Sequence, residues 1–566
     1  MILVTKKLEE LLAPAVEAAA PGGAEKLILQ FTRDPSLGDL QTNIAMILAK
    51  PLGRNPRDLA AAIIAGIVPD PLIAGAETAG PGFINIRLNR QHLAAYLEEI
   101  DSTGLFPARD PEKQVIIDYS SPNIAKRMHI GHLRSTIIGD SLKRIYRYLG
   151  YPVIADNHLG DWGTQFGKLI VAYRLWLDPE NYRESAIEEL ERLYVKFEQE
   201  SAERPELLEE ARRELKNLQD GEPGCAALWE EFVQASLAEY DRVYKRMDIS
   251  FDTYRGESFY HDRMPGVVAE LMEKGLARES EGALVVFFPE EEHLHPCLVQ
   301  KNDGAYLYAT SDLACIRRRM EDYAIDRLVY VTDDRQIPHF QQVFRVAEML
   351  GWEVPRVHVA FGIMKFSEGH FSSRKGNVIY LTHLLDEAEK RAWDIVTEKN
   401  PSLPEEERKE IARVVGMGAV KYFDLSQNRS SNIIFDWGKV LSFEGNTSPY
   451  LQYVYARIQS LIRKSGLESI GVPEVPAEIS ETENKLMHAM AQFPGVVIQA
   501  ADNYKPNLIS DYIFDLSQTF NYFYNTYPIL KEEGELRRFR LFLCERTAAI
   551  IRAGLELLGI QVLDRM

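Results

Sequence analysis

Cysteine is scarce in this chain: four residues in 566, Cys225, Cys297, Cys315 and Cys544, lie far apart with no C-x-x-C pair. Such spacing argues against a disulfide framework and against a cysteine-rich zinc site. No stretch approaches the roughly 20 consecutive apolar residues that a membrane span needs. The opening MILVTKKLEELLAPAVEAAA has no basic segment leading into an apolar core, nor the Arg/Ser-rich, acid-poor look of a transit peptide. Its Val4, Leu8, Leu11 and Leu12 read as one face of a helix instead. Internal repeats and low-complexity tracts are lacking. Positive charge is also short: 65 Lys and Arg face 84 Asp and Glu, a net charge of −19, which argues against indiscriminate binding to a phosphate backbone. A soluble protein of a reducing, cytoplasmic compartment is expected, with no membrane and no DNA partner.

What is present is ordinary globular material, 46% hydrophobic and 26% charged. At about 150 residues per domain, the length suggests three or four domains. Charge is unevenly spread. Residues 178–222 hold 15 acidic and 7 basic side chains, consistent with a solvated helical face. By contrast, residues 120–150 set Lys126, Arg127, Arg134, Lys143, Arg144 and Arg147 against the single Asp140, so an anion could be held there.

Residues 1 to 108 mix helical periodicity with a short alternating strand, FINIRL at 83–88. VIIDYS (115–120), YPVIADN (151–157), LVYVTD (328–333) and VHVAFG (357–362) are then short β-branched runs separated by longer helix-like segments. This alternation predicts βαβ units on a parallel sheet, with ligands beyond the carboxyl ends of the strands. An acidic helical insertion is expected at about 175–245. From about 415 onward the chain turns helical and aromatic. Leu536, Phe539, Leu543, Ile550 and Leu557 there mark a buried stripe.

The most informative segment is VIIDYSSPNIAKRMHIGHLRSTIIGDSLKRIYRYLG at 115–150. A strand ends at Asp118–Tyr119, a Pro-containing loop follows, and His129-Ile130-Gly131-His132 opens a helix. A helix N-terminus offers unpaired N–H groups and a partial positive charge, a seat for phosphate. Two imidazoles there can donate hydrogen bonds to phosphoryl oxygens as charge develops. Gly131 lets a flat base or ribose approach the backbone. A lone histidine is more often a satisfied core or surface group; the placement between strand and helix favours function here.

DYSSPNIAKRMHIGHLRSTIIGDSL and NHLGDWGTQFGKL resemble class I aminoacyl-tRNA synthetases, specifically the arginyl enzymes. The likeness continues through YLYATSDLA, VYVTDDRQIPHF, MGAVKYFDLS and LSFEGNTSPYLQYVYARI to the C-terminus, and is looser in the N-terminal part. It implies an α/β catalytic domain with a Rossmann-like parallel sheet and the H-x-G-H motif. An α+β N-terminal domain and an all-α C-terminal anticodon-binding domain would flank it. The expected bounds are 1–108, 109–425 and 426–566. The implied activity is ATP-dependent joining of arginine to tRNA(Arg) through arginyl-adenylate, with Mg²⁺ accompanying ATP, no structural metal, and a monomer as the family tendency.

The resemblance carries roles residue by residue. His129, Gly131, His132 and Lys126 would serve ATP. Asp118, Ser121, Pro122, Asn123, His132, Tyr308, Asp312 and Gln336 would hold arginine, Ser121 and Asn123 at its α-ammonium and α-carboxylate. Carboxylates and neutral acceptors suit a planar guanidinium with five donors. Tyr308 and Asp312, four apart, would share a helix face, though an N-cap aspartate beside a packed tyrosine explains them too. Phe83 and Asn85 resemble a pair that reads a tRNA base. Phe435 and Trp437 lie in a stretch matching a tRNA-touching region, and Tyr450 and Tyr453 could stack bases. Arg537, Arg538 and Arg540 offer backbone contacts. Core packing is the plainer account of the aromatics.

The second class I signature departs from pattern. Where most members carry K-M-S-K-S, this chain has His370-Phe371-Ser372-Ser373-Arg374-Lys375-Gly376-Asn377, with Ser373 at the position of the second lysine. Lys126 could supply the missing cation, and Arg374 and Lys375 compete for the role. Three rivals stand beside this reading: an H-x-G-H nucleotidylyltransferase acting without RNA, a non-catalytic synthetase-like tRNA-binding protein, and, nearest, a synthetase for another amino acid, against which Asp312 with Gln336 argues for arginine. The first is typically far smaller; the second would usually have lost its histidines or amino-acid pocket.

Overall fold

The computed structural model describes residues 3–32, 34–100, 104, 112–366, 379–467 and 469–566. The chain divides into two compact units, Ala108–Arg147 with Tyr151–Leu441, and Met1–Pro107 with Tyr148–Gly150 and Ser442–Met566.

The first unit is built on four parallel strands. β1 (Gln114–Asp118) leads into helix α1 (Ile130–Tyr148) and returns as β2 (Val153–Asp156). Farther along come α2 (Tyr308–Asp322), β3 (Ile325–Tyr330), α3 (Ile337–Met349) and β4 (Arg356–His358). The sheet order is β4-β3-β1-β2, every neighbouring pair parallel. Val115, Ile116 and Ile117 are all buried, as a strand covered on both faces requires. α2 and α3 close one side, with Leu313, Ile316, Phe340 and Val343 joining Ile116, Leu328 and Tyr330 in one core. The acidic insertion is four helices: Pro179–Glu184, Ala186–Glu203, Glu206–Gln219 and Pro223–Arg246. Strand Ile433–Phe435 pairs in parallel with Met364–Phe366, so the residues up to Leu441 fold with the sheet unit.

Phe435 and Trp437, expected to face tRNA, are core residues at 0% and 2% exposure. The Phe435 ring packs against Phe366, Phe423 and Trp437.

The second unit carries an antiparallel sheet in the order Gln30–Phe31, Leu40–Thr42, Phe83–Leu88, Ile73–Ala79. Its C-terminal part is helical, from Ser448–Ser465 to Gly534–Leu557. A capping box at Ser480 and Glu483 starts one of those helices, and a left-handed Gly466 ends another. Asn85, expected to read a base, is 4% exposed with its Oδ1 buried and unpaired among the described residues. Arg540 is spent internally on Glu483 and Glu532, and Arg537 and Arg538 donate to the Ser465 and Ile470 carbonyls. No helix among the described residues is long and apolar enough to cross a membrane.

Candidate active site

The loop between β1 and α1 is unusual backbone. Ser120, Ser121 and Ala125 adopt φ of 75°, 49° and 62°, a left-handed region that costs non-glycine residues about 1–3 kcal/mol each. Surrounding groups over-determine it. Ser120 N–H donates to Ser135 Oγ at 2.9 Å and Ser121 N–H to Asn157 Oδ1 at 3.0 Å. Gly160 N–H donates to the Pro122 carbonyl, and Ile124 N–H to the Gly160 carbonyl, both at 3.1 Å. A Cβ at Gly160 would fall 2.0 Å from Asn123 Oδ1, so only glycine admits that side chain. The last insertion helix completes the clamp: Ser236 Oγ accepts Ala125 N–H, and Tyr240 donates to the Asn123 and Lys126 carbonyls. Tyr244 meets Ser120 Oγ and Asn157 Nδ2. Asn123 itself is exposed.

At the start of α1, His129 Nδ1 accepts Gly131 N–H at 3.0 Å and His132 Nδ1 accepts His129 N–H at 3.1 Å. A neutral imidazole with Nδ1 accepting carries its proton on Nε2, so both rings offer Nε2–H donors. Burial pushes both below the usual histidine range, His132 to about 3 with the His129 charge adding to the effect. They are therefore neutral donors at physiological pH. Gly131 has a reason beyond room for a ligand: a Cβ there would sit 2.7 Å from the His129 ring. Lys126 Nζ lies 5.0 Å from the Tyr194 ring centre. Ile130 N–H donates to the Ile379 carbonyl and Leu381 N–H to the Met128 carbonyl, tying the residues after 378 to the helix start. Arg374 and Lys375 lie outside the described residues.

A cavity of about 760 Å³ opens beside Arg127 and Tyr380 among the insertion helices. Glu184, Glu188, Glu189, Glu191 and Glu200 line it, a poor seat for a triphosphate.

The second cluster forms where α2 meets the carboxyl edge. Tyr308 opens α2 and Asp312 stands one turn on, which rules out the N-cap account because Leu307 occupies that position. Asp312 Oδ2 lies 2.5 Å from His339 Nε2 in the first turn of α3. Gln336, exposed, occupies the N-cap position of that same helix without a side-chain capping bond. Glu257, which sequence reasoning missed, joins them: burial raises its carboxyl, His158 opposes, and the charges of Asp161 and Asp312 add, leaving it near neutrality at about 7. Tyr308 lies within electrostatic reach of Glu257.

Asp118 has an internal partner. Arg319, 1% exposed, donates to Asp118 Oδ2 at 2.7 Å and Asp156 Oδ2 at 2.6 Å. Its Oδ1 accepts from Ser121 Oγ at 3.3 Å. Metal-binding atoms of Asp118, His158 and Cys315 fall within 4.8 Å of one another. Arg319 already neutralises that corner. His158 is held charged, up to about 10, because Cys315, Asp118 and Asp312 together outweigh its burial.

Comparison with known proteins accords with this geometry. Residues 99–437 match the family model for the catalytic domain of class I (R) tRNA synthetases, and 451–566 the DALR anticodon binding domain. Residues 6–88 match the arginyl tRNA synthetase N-terminal domain. An arginine–tRNA ligase of Fusobacterium nucleatum is 51% identical over 100% of both chains, and one of Alcanivorax borkumensis 43% identical over 97% of each. The crystal structure of an arginyl-tRNA synthetase from Plasmodium falciparum superposes with a TM-score of 0.81 at 27% identity, covering 100% of both chains. The Thermus thermophilus arginyl-tRNA synthetase shares the fold at a TM-score of 0.83 and 24% identity, again over 100% of each. A class I parallel sheet, a catalytic-domain match over more than half of the chain, and relatives 43–51% identical over nearly their whole length place this chain in the arginyl-tRNA synthetase family.

Proposed function

We propose that this chain catalyses arginine–tRNA ligation with the residues gathered at the carboxyl edge of the parallel sheet. Arginine is activated with ATP to arginyl-adenylate, then transferred to the terminal adenosine of tRNA(Arg), releasing AMP and pyrophosphate.

In the first step an arginine carboxylate oxygen attacks the α-phosphorus of ATP in line and pyrophosphate leaves. His129 and His132 donate Nε2–H to phosphoryl oxygens as charge accumulates, and their neutrality keeps them donors without requiring protonation. Lys126, three residues upstream, offsets charge on the departing pyrophosphate. Arg374 and Lys375 are the other candidate cations for that charge. In the second step a ribose hydroxyl of the terminal adenosine attacks the activated carbonyl and AMP leaves. Neither step needs a protein nucleophile, so positioning and electrostatics supply the catalysis. Mg²⁺ would travel with the triphosphate: the groups at the helix start are N–H donors and a lysine, and the nearby Glu191 is engaged by Arg127 and Tyr380.

Asp312, Glu257, Tyr308 and Gln336 grip the guanidinium, with Ser121, Pro122 and Asn123 at the α-amino acid end. Asp118 acts chiefly through Arg319 and Ser121, shaping the loop. In the other unit, Tyr453 and Tyr522, 47% and 63% exposed, are the tyrosines best presented for base stacking. Tyr450 has its hydroxyl taken by Gln518 and Asn521. Phe83 opens an interior strand of the N-terminal sheet, paired with Ala79, and would contact tRNA from that end of the strand. A cytoplasmic monomer fits this role.

The observation that carries the reading is Asp312, one turn after Tyr308 on α2, with its Oδ2 held 2.5 Å from His339 Nε2 beside the turn that carries Gln336. Charged hydrogen bonds contribute about 1.5–3 kcal/mol each, so Asp312→Ala should lower arginine kcat/KM by at least about 2 kcal/mol, roughly 30-fold. Near-normal arginine-dependent aminoacylation by that variant would refute the assignment.

A further inference from the structure

α3 begins directly after the turn Asp334–Gln336, so its first turn carries Ile337, Pro338, His339 and Phe340. Pro338 suits a position whose N–H has no helical partner. Phe340 is buried, its ring 5.1 Å from Tyr330 and 4.5 Å from His358, which locks the backbone from which His339 projects. Across from it, Asp312 sits in the second turn of α2, whose own core contacts, Leu313 and Ile316, are fully buried. The two helices thus hold His339 Nε2 and Asp312 Oδ2 at 2.5 Å from rigid supports.

An ionised carboxylate only accepts hydrogen bonds, so the proton between them belongs to Nε2. The carboxylate plane of an aspartate turns freely about its last torsion unless one oxygen is pinned. Directional hydrogen bonding to a planar guanidinium demands that the receiving oxygen be set in its plane beforehand.

We infer that His339 is a positioning residue for amino-acid selection: its Nε2–H pins Asp312 Oδ2 and leaves Oδ1 aimed to receive a guanidinium N–H. This rests on Asp312 being a ligand of arginine. The same short helix start then carries two contributors of different kinds, Gln336 facing the substrate and His339 acting through Asp312. Loss of the pin leaves Asp312 present but free to rotate, which weakens a planar, two-donor substrate far more than it weakens ATP.

The test is steady-state aminoacylation by the full chain, with KM measured separately for arginine and ATP. His339→Leu keeps bulk and removes the donor; His339→Gln keeps an N–H. His339→Leu should raise KM for arginine about tenfold or more and leave KM for ATP within about twofold, with His339→Gln restoring part of the loss. Added to Asp312→Asn, His339→Leu should cost less than about a further twofold, since its route of action is already gone. An unchanged arginine KM in His339→Leu, or a full additional loss on the Asp312→Asn background, overturns the inference. If Asp312→Asn itself leaves arginine KM unchanged, the ligand reading of Asp312 falls instead. Should His339→Leu fail to fold, His339→Ala against His339→Gln carries the same comparison.

Discussion

His132 accepts the backbone N–H of His129 on its Nδ1 at 3.1 Å, and the two rings stand 4.1 Å apart. This one contact sets the tautomer of His132, leaving its proton on Nε2, and fixes its ring at a 40° tilt to that of His129. The pair therefore works as a unit of two neutral donors fixed before any nucleotide arrives.

Removal of either donor should show in the chemical step. His132→Ala or His129→Ala is expected to lower kcat for ATP–pyrophosphate exchange by about 10²–10³, the usual cost of one preorganised transition-state donor. KM for arginine should move little in the His129 variant. Single-turnover kinetics would report it.

The cation question has a direct comparison. If Lys126 replaces the lysine missing at Ser373, Lys126→Ala lowers kcat far more than Lys375→Ala. Equal small effects would undo that choice in favour of another cation.

Glu257 predicts a pH dependence. Its carboxyl is raised to about 7, so it is largely protonated below that pH and ionises as pH rises through it. The guanidinium prefers the ionised form, so KM for arginine should fall between pH 6 and pH 8. His339, held above the ordinary histidine range by Asp312 despite burial, loses its charge on the way up and pushes KM in the same direction. The charges of His158, Asp161 and Asp312 act on Glu257, His158 opposing the rise and the two aspartates adding to it. Glu257→Gln should therefore flatten the profile without abolishing it; an unchanged profile would remove Glu257 from the pocket.

Stability separates structural from functional residues. Arg319→Met strands the buried carboxylates of Asp118 and Asp156 and should destabilise by about 3–5 kcal/mol in denaturant unfolding. Phe435→Ala removes a fully buried ring and should cost about 3–5 kcal/mol. Tyr453→Ala, on an exposed side chain, should instead raise KM for tRNA with little change in unfolding midpoint.

The sheet was legible because its strands are continuous β-branched runs bounded by turn residues, a signal independent of partners. Strand-then-helix placement likewise exposed His129 and His132. Partners distant in sequence were not legible. Nothing local to Asp118 announces Arg319, which lies 201 residues away, and nothing local to Asp312 announces His339. Phe435, Trp437 and Asn85 were misplaced because aromatic and amide side chains serve buried packing and base recognition alike. The insertion did carry a readable sign: Ser236, Tyr240 and Tyr244 recur every four residues on an otherwise acidic segment, one helix face that proves to clamp the signature loop.

Substrate choice is the central claim. ATP–pyrophosphate exchange should be measured with each amino acid in turn, with and without total tRNA. Arginine alone should support exchange, most strongly when tRNA is present; exchange driven by another amino acid, or none with arginine under either condition, would contradict the account.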